Sequence, residues 1–203
     1  MSPRVLFITG PRYGIVRTAA VVRAAGKALG AGRLVVQLRD KDADEAALLA
    51  HARVLRDATR EVGALFVVNG ALDVAKAVRA DGVHLPKCTS RDVDEARTTL
   101  GDAAFVSTSA HDDDDVERAL EADATAILVS PIFASPTKGN GRGVTAIVNA
   151  RALVDAARQP PAPLVYALGG ITGPKSRACL EAGADGVAAI RALYDDPMAF
   201  CSP

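Results

Sequence analysis

Cysteine is scarce in this 203-residue chain, and the three present, Cys88, Cys179 and Cys201, lie far apart with no metal-ligand spacing and no obvious pairing. That excludes a disulfide-stapled or zinc-ribbon scaffold and suits a reducing compartment. A surplus of either charge is also absent, since 24 Lys and Arg face 24 Asp and Glu. No basic excess is left to hold a nucleic-acid backbone, so nucleic acid is not an expected partner. No apolar run approaches the ~18 residues of a membrane span. Met1-Ser2-Pro3-Arg4 leads into four apolar residues rather than the longer apolar stretch of a signal peptide. A cytoplasmic protein without a membrane partner is the expectation. Nor does a Gly-x-Gly-x-x-Gly turn follow an early strand, which weakens the case for an open dinucleotide-binding sheet.

What the chain does have is 49% hydrophobic residues, laid out on a recurring plan. A short apolar run ends in polar or glycine residues and a helix-like segment follows. Val5–Ile8 with 18–29 makes the first unit, and 34–39 makes the second strand, followed by Asp44 as an N-cap and a stripe of Ala47, Leu48, Ala52 and Leu55. Leu65–Asn69 with 71–78, Gly82–Leu85 with 93–100, and 104–108 with 116–120 continue the series. Ala126–Val129 is followed by a long loop over 130–144, containing Gly139, Gly141 and Gly143, and a helix over 147–157. Strands at 164–167 and 186–190, with helices over 176–181 and around Ala192, bring the count to eight. Eight such units predict one α/β domain over 1–203, a (β/α)8 TIM barrel with its polar strand tips at one mouth. Two echoes, Arg79-Ala80-Asp81-Gly82-Val83 and Ala182-Gly183-Ala184-Asp185-Gly186-Val187, join a helix end to a strand start at the opposite face, with the aspartates expected to face water.

The polar tips are the candidate chemistry. Gln37 should point into the mouth, where an amide can read a polar heterocycle, although a glutamine bonded only to protein fits the same pattern. Arg39 and Lys41 would share a face if the strand continued and could both reach an anion, with Asp40 pointing away. Gly169 and Gly170, after the seventh strand, let backbone N–H groups approach a ligand. Ala189 and Ile190 lead into a short helix whose free N–H groups face the same point, so a phosphate is expected there. Thr137 and Lys138 lie in the glycine-rich loop, suited to closing over an anion, and Arg142 is flanked by two glycines. His84 and His111 are the acid–base candidates, with Ser109 as a relay; His51 reads as a mid-helix surface or packing residue. Asp112, Asp113, Asp114 and Asp115 form a carboxylate run whose position at a helix start accounts for them better than a metal does. Cys88, near the fourth strand tip, reads as a neutral loop residue.

Phe7-Ile8-Thr9, Val36-Gln37-Leu38-Arg39-Asp40-Lys41, Ala80-Asp81-Gly82-Val83-His84-Leu85, Ser109-Ala110-His111, Ser130-Pro131-Ile132-Phe133, Thr137-Lys138, Leu168-Gly169-Gly170-Ile171 and Gly183-Ala184-Asp185-Gly186-Val187-Ala188, taken in this order, resemble the thiamine phosphate synthase and TenI family of β/α barrels. The resemblance implies a thiazole phosphate held by Gly169, Gly170 and the backbone at Ala189 and Ile190. In the synthase branch it implies a hydroxymethylpyrimidine diphosphate beside it, with Gln37 near the pyrimidine and Arg39, Lys41 and Lys138 on the diphosphate. Asn69, Ser130, Ser135, Thr137 and Arg142 complete the ligand-binding set that the resemblance implies. Mg²⁺ would bridge the diphosphate and two carboxylates in that branch, and diphosphate would leave as the thiazole nitrogen joins the pyrimidine methylene.

The chain departs from the synthase pattern at the metal. Asn69-Gly70 stands where the family has asparagine-aspartate, and Pro86-Lys87-Cys88-Thr89 stands where it has glycine-glutamine and an acidic ligand. Hard Mg²⁺ wants carboxylate oxygens, and Asp73 and Asp92 are the nearest substitutes. The TenI branch instead aromatises a thiazole carboxylate phosphate tautomer by proton transfer, and Gly141-Arg142-Gly143-Val144 resembles it. Its histidine after the sixth strand is Pro131 here, so His84, His111, or Ser109 with a water would move the proton. The expectation is therefore a tautomerase-like enzyme with no cofactor, taking a small phosphorylated heterocycle. The alternatives are the Mg²⁺-dependent synthase and an inactive binder of a phosphorylated ligand. A homodimer through an apolar outer helix face is possible.

Overall fold

The computed structural model describes residues 4–134, 139–158 and 161–201. Eight strands run parallel and close in sequence order into a barrel. They are β1 Val5–Ile8, β2 Leu34–Leu38, β3 Leu65–Asn69, β4 Gly82–Leu85, β5 Phe105–Ala110, β6 Ala126–Val129, β7 Leu164–Leu168 and β8 Gly186–Ala189. The helices between and after them are α1 Ile15–Leu29, α2 Glu45–Val62, α3 Leu72–Ala77, α4 Ser90–Leu100, α5 Asp113–Glu121, α6 Thr145–Ala157, α7 Gly173–Glu181 and α8 Arg191–Asp195. A 3₁₀ turn at Pro11–Tyr13 precedes α1. No described helix is long and apolar enough to cross a membrane.

Strands covered on both faces read as continuous apolar runs, and those of β1, β2 and β6 are buried throughout. The two-residue alternation then divides each strand between two cores. Leu6, Ile8, Val35, Val67, Phe105, Leu128 and Tyr166 fill the barrel interior. Phe7, Val36, Phe66, Ile127 and Val165 belong to the larger core shared with the helices.

At the N-terminal face the two sequence echoes do a structural job. A Cβ on Gly82 would lie 1.9 Å from the Phe105 carbonyl oxygen, and one on Gly186 would lie 2.5 Å from that of Arg4, so neither position accepts a side chain. The aspartates before them do not face water as expected. Asp81 accepts from the Phe66 N–H at 2.7 Å and from both terminal nitrogens of Arg56, at 2.6 and 3.1 Å. Asp185 accepts from the Val165 N–H at 2.8 Å and from Arg151 at 3.1 Å. Each carboxylate binds a main-chain N–H near the start of the preceding strand and pairs with an arginine two helices back, which is stronger than solvation alone. Ahead of β6 the two jobs are divided, Thr125 Oγ1 accepting from the Val106 N–H at 3.2 Å while Arg97 pairs with Asp123.

Candidate active site

The C-terminal strand ends bring Gln37, Asn69, His84, Ser107 and Ser109 to one end of the barrel. Neighbouring registers fix their heights: Gln37 pairs with Ile8 and Val67, and His84 with Asn69 and Ser107. Gln37 points inward as its alternation predicts and is 1% exposed. Its Nε2 has no hydrogen-bond partner among the described residues. An unpaired buried amide costs about 1–3 kcal/mol, a cost a ligand acceptor would remove.

His84 is buried beneath the mouth, with Nδ1 3.0 Å from Ser107 Oγ and Nε2 3.2 Å from Ser109 Oγ. Burial, reinforced by the nearby Arg39 charge, pushes its pKa down to about 4, so the ring is neutral near pH 7. Both nitrogens are already engaged, which makes the ring a holder of Ser109. His111 is arranged differently. Its backbone N–H donates to Asp115 at 2.7 Å and its Nδ1 lies 3.0 Å from the Ser130 carbonyl oxygen. A carbonyl only accepts, so Nδ1 carries the proton and Nε2 presents a lone pair, with no hydrogen bond to it among the described residues.

Arg39 and Lys41 do not lie on one continuing strand. β2 stops at Leu38 because Asp40 Oδ1 takes the N–H groups of Asp42 and Ala43, both at 3.2 Å, and turns the chain. Arg39 is half-buried, its N–H bonded to Thr9 Oγ1 at 2.9 Å, while Lys41 is exposed. Asp40 also stands 3.7 Å from His51 Nδ1.

Gly169 and Gly170 adopt φ of +107° and +64°. A Cβ would sit 2.9 Å from Pro131 Cα at the first position and 2.8 Å from the Ala134 oxygen at the second. The loop after β6 lies against them, with Ile132 N–H on the Leu168 carbonyl and Phe133 N–H on the Gly169 carbonyl, both at 2.9 Å. The N–H groups of Gly169 and Gly170 make no hydrogen bond among the described residues. Ala189 and Ile190 run from β8 into the five-residue α8. Arg142 donates its N–H to the Pro131 carbonyl at 2.8 Å and pairs with Asp113 at 3.3 Å; its Nη1 is buried without a partner among the described residues. Ser130 is buried, and its Oγ is 3.2 Å from His111 Nδ1. Ser135, Thr137 and Lys138 lie outside the described residues.

The carboxylates near the mouth are committed elsewhere. Asp92 forms a capping box with Thr89 at the start of α4, and Asp73 is exposed in the first turn of α3. Asp112 caps α5 through the Asp115 N–H at 2.8 Å, and Asp115 pairs with Arg118. Among the described residues no three His, Cys, Asp or Glu side chains are grouped to hold a metal. The donors present do not fit the two-carboxylate Mg²⁺ site of the synthase pattern. Burial also raises the Cys88 pKa, with the Thr108 hydrogen bond acting the other way, so it is not an activated thiolate.

Some parts of the site escaped sequence reasoning. Ser107 is two residues before Ser109 on the same strand face, a signal that was available. Thr9, the anchor of Arg39, had none. At the rim, Tyr194 Oη accepts from the Gly10 N–H at 3.1 Å and lies 2.8 Å from Thr18 Oγ1, while Tyr13 stacks on the Tyr194 ring at 3.7 Å.

Comparison with known proteins bears on this arrangement. The family model described as "Thiamine monophosphate synthase" matches residues 5–193. A thiamine-phosphate synthase of Methanoculleus marisnigri is 40% identical over 172 residues, covering 83% of this chain and 78% of that protein. One from Gloeobacter violaceus is 36% identical over 84% of this chain but only 49% of its own length. The chain thus spans about half the length of some curated relatives and about three-quarters of others. Among solved structures, thiamine phosphate pyrophosphorylase from Pyrococcus furiosus superposes with a TM-score of 0.77 at 26% identity, covering 97% of this chain and 91% of that one. By sequence and by fold, this chain belongs to the thiamine monophosphate synthase and TenI family.

Proposed function

We propose that the chain aromatises a thiazole carboxylate phosphate tautomer by proton transfer, without a metal. The observation that carries this reading is His111. Its Nδ1–H is committed to the Ser130 carbonyl, which leaves Nε2 as a base at the end of the barrel where the polar strand tips gather. Nε2 takes a proton from one ring position and returns it at another, so no atom is gained or lost. Asp115, which accepts the His111 backbone N–H at 2.7 Å, supplies negative charge beside the transient imidazolium. His84 stays neutral and holds Ser109, which donates to or relays for the reacting ring.

The phosphate is assigned to the free N–H groups of Gly169 and Gly170 and to the backbone of Ala189 and Ile190, where the positive-φ turn allows close approach. Gln37 Nε2 donates to the heterocycle, while Arg39 and Lys41 face the substrate carboxylate. Asn69, Ser130 and Arg142 complete the wall. Ser135, Thr137 and Lys138, outside the described residues, are further proposed ligands of the anion.

A second reading has its own support. Relatives called thiamine-phosphate synthase reach 34–40% identity over most of this chain, which favours condensation with a pyrimidine diphosphate and release of diphosphate. The deciding experiment is an assay on the tautomer phosphate alone and then with pyrimidine diphosphate and Mg²⁺. Aromatisation in the first mixture, lowered about 10²–10⁴-fold in kcat by His111→Asn, is the expected result. Thiamine phosphate formed only in the full mixture would replace it with the synthase reading. Silence in both, with thiazole phosphate still bound, would mark an inactive binder.

A further inference from the structure

Far from the mouth, a cavity of about 330 Å³ opens between α2 and the end of α3, lined by Arg53, Arg56, Asp57, Arg60 and Arg79. Arg53, Arg56 and Arg60 fall at i, i+3 and i+7, one face of α2. Arg79 joins them from the turn before β4, held at φ +52° with its N–H on the Lys76 carbonyl. Arg56 is the partner of Asp81 described above. Arg53, Arg60 and Arg79 have no carboxylate within ion-pair distance among the described residues.

The barrel supplies its own control. The Arg56–Asp81 link recurs as Arg151–Asp185, each aspartate directly preceding its strand and accepting a main-chain N–H of the strand before. At the places corresponding to Arg53 and Arg60, the α6 copy has Val148 and Asp155. Where Arg79 stands, two residues before the aspartate, that copy has Gly183, and the equivalent turn before β6 has Asp123, also at positive φ. The structural link is therefore made in the other copy without any of the three extra arginines, and fold maintenance does not explain them. Gathering unpaired like charges in one concavity raises their mutual repulsion, which a bound anion relieves.

We propose that this concavity binds a small di- or triphosphate at a site separate from the mouth. Guanidinium forks suit phosphate oxygens in pairs. The volume is that of a small-molecule site, and the charge balance of the whole chain gives no field to attract a long polyanion.

The probe is inorganic diphosphate without Mg²⁺, titrated calorimetrically at physiological salt into the wild-type protein and three variants. In the wild type, saturable binding is expected. The double variant Arg53→Gln/Arg79→Asn should weaken it at least about tenfold with the melting temperature unchanged, and Arg39→Gln, at the mouth, should leave it in place. Should the double variant melt lower, Arg60→Gln alone gives the same reading from an exposed helix position. No binding to the wild type would overturn the proposal. So would binding that the cavity variants leave untouched, or binding that only Arg39→Gln removes.

Discussion

Asp81, at the start of β4, and Gln37, at the end of β2, are polar groups on the same closed sheet with opposite surroundings. Asp81 accepts a backbone N–H and both terminal nitrogens of one arginine. Gln37 is more deeply buried, yet its Nε2 has no partner among the described residues. The contrast extends around the two faces. Asp185 closes a link like that of Asp81 at the N-terminal end, where the carboxylates are satisfied although Arg56 and Arg151 each keep a buried Nε without a partner among the described residues, whereas at the other end the Gly169 and Gly170 N–H groups are left open. The Asp81 carboxylate is satisfied within the chain, whereas the Gln37 amide and the Gly169 and Gly170 N–H groups are left for something from outside it. The Asp81 and Gln37 side chains therefore respond to substitution with opposite signs.

Removing a satisfied group tests the first half of that statement and carries the largest effect. Asp81→Ala leaves the half-buried Arg56 guanidinium and the Phe66 N–H without their acceptor. Stranding one partner of such a pair is more damaging than removing both. A loss of about 4 kcal/mol in denaturant unfolding is expected, and Arg56→Leu in the same chain should restore part of it. A cost under about 1 kcal/mol would mean the link behaves as a surface ion pair and the contrast between the faces fails.

His84 sharpens the comparison because it is a mouth residue whose polar atoms are satisfied. Its pKa falls from 6.5 to about 4 on folding, so the unfolded chain binds the proton more readily. The associated stability is complete above pH 6.5, declines as the pH falls, and is fully lost below about 4. The shift corresponds to about 3 kcal/mol over that window. Unfolding measured from pH 7 to 4 should show the decline, and His84→Gln should flatten it relative to the wild type. An equal slope in both proteins would place the titrating group elsewhere.

The strand tips were legible because polar residues ending short apolar runs leave few alternatives in a closed parallel sheet. Gln37 and His84 accordingly point where the alternation says. What was not legible depended on partners distant in the chain or on local competition for the backbone. Asp81 and Asp185 read as water-facing because their arginines lie 25 and 34 residues away. β2 ends one residue before the expected Arg39 because the Asp40 side chain captures two N–H groups. α1 begins at Ile15 rather than at the expected Thr18, whose Oγ1 donates to the Gly14 carbonyl at 2.8 Å inside the first turn. The separate roles of the two histidines rest on Ser107 and on the Ser130 carbonyl, and a carbonyl leaves no trace in a sequence.

The smallest effect in stability is the most pointed test of the open face. Gln37→Leu exchanges an amide with an unpaired Nε2 for an apolar side chain of similar reach, surrounded by interior residues such as Ile8 and Val67. Where Asp81→Ala should destabilise strongly, this substitution should shift stability by less than about 1 kcal/mol, and in the stabilising direction. Affinity for the thiazole phosphate should fall at the same time, because the donor that reads the heterocycle is gone. Stability and binding then move apart, as expected where a site holds polar groups for a ligand rather than for the fold. Destabilisation comparable to that of Asp81→Ala would instead show that Gln37 is a structural group, bonded through a water, and the two ends of the barrel would no longer differ in kind.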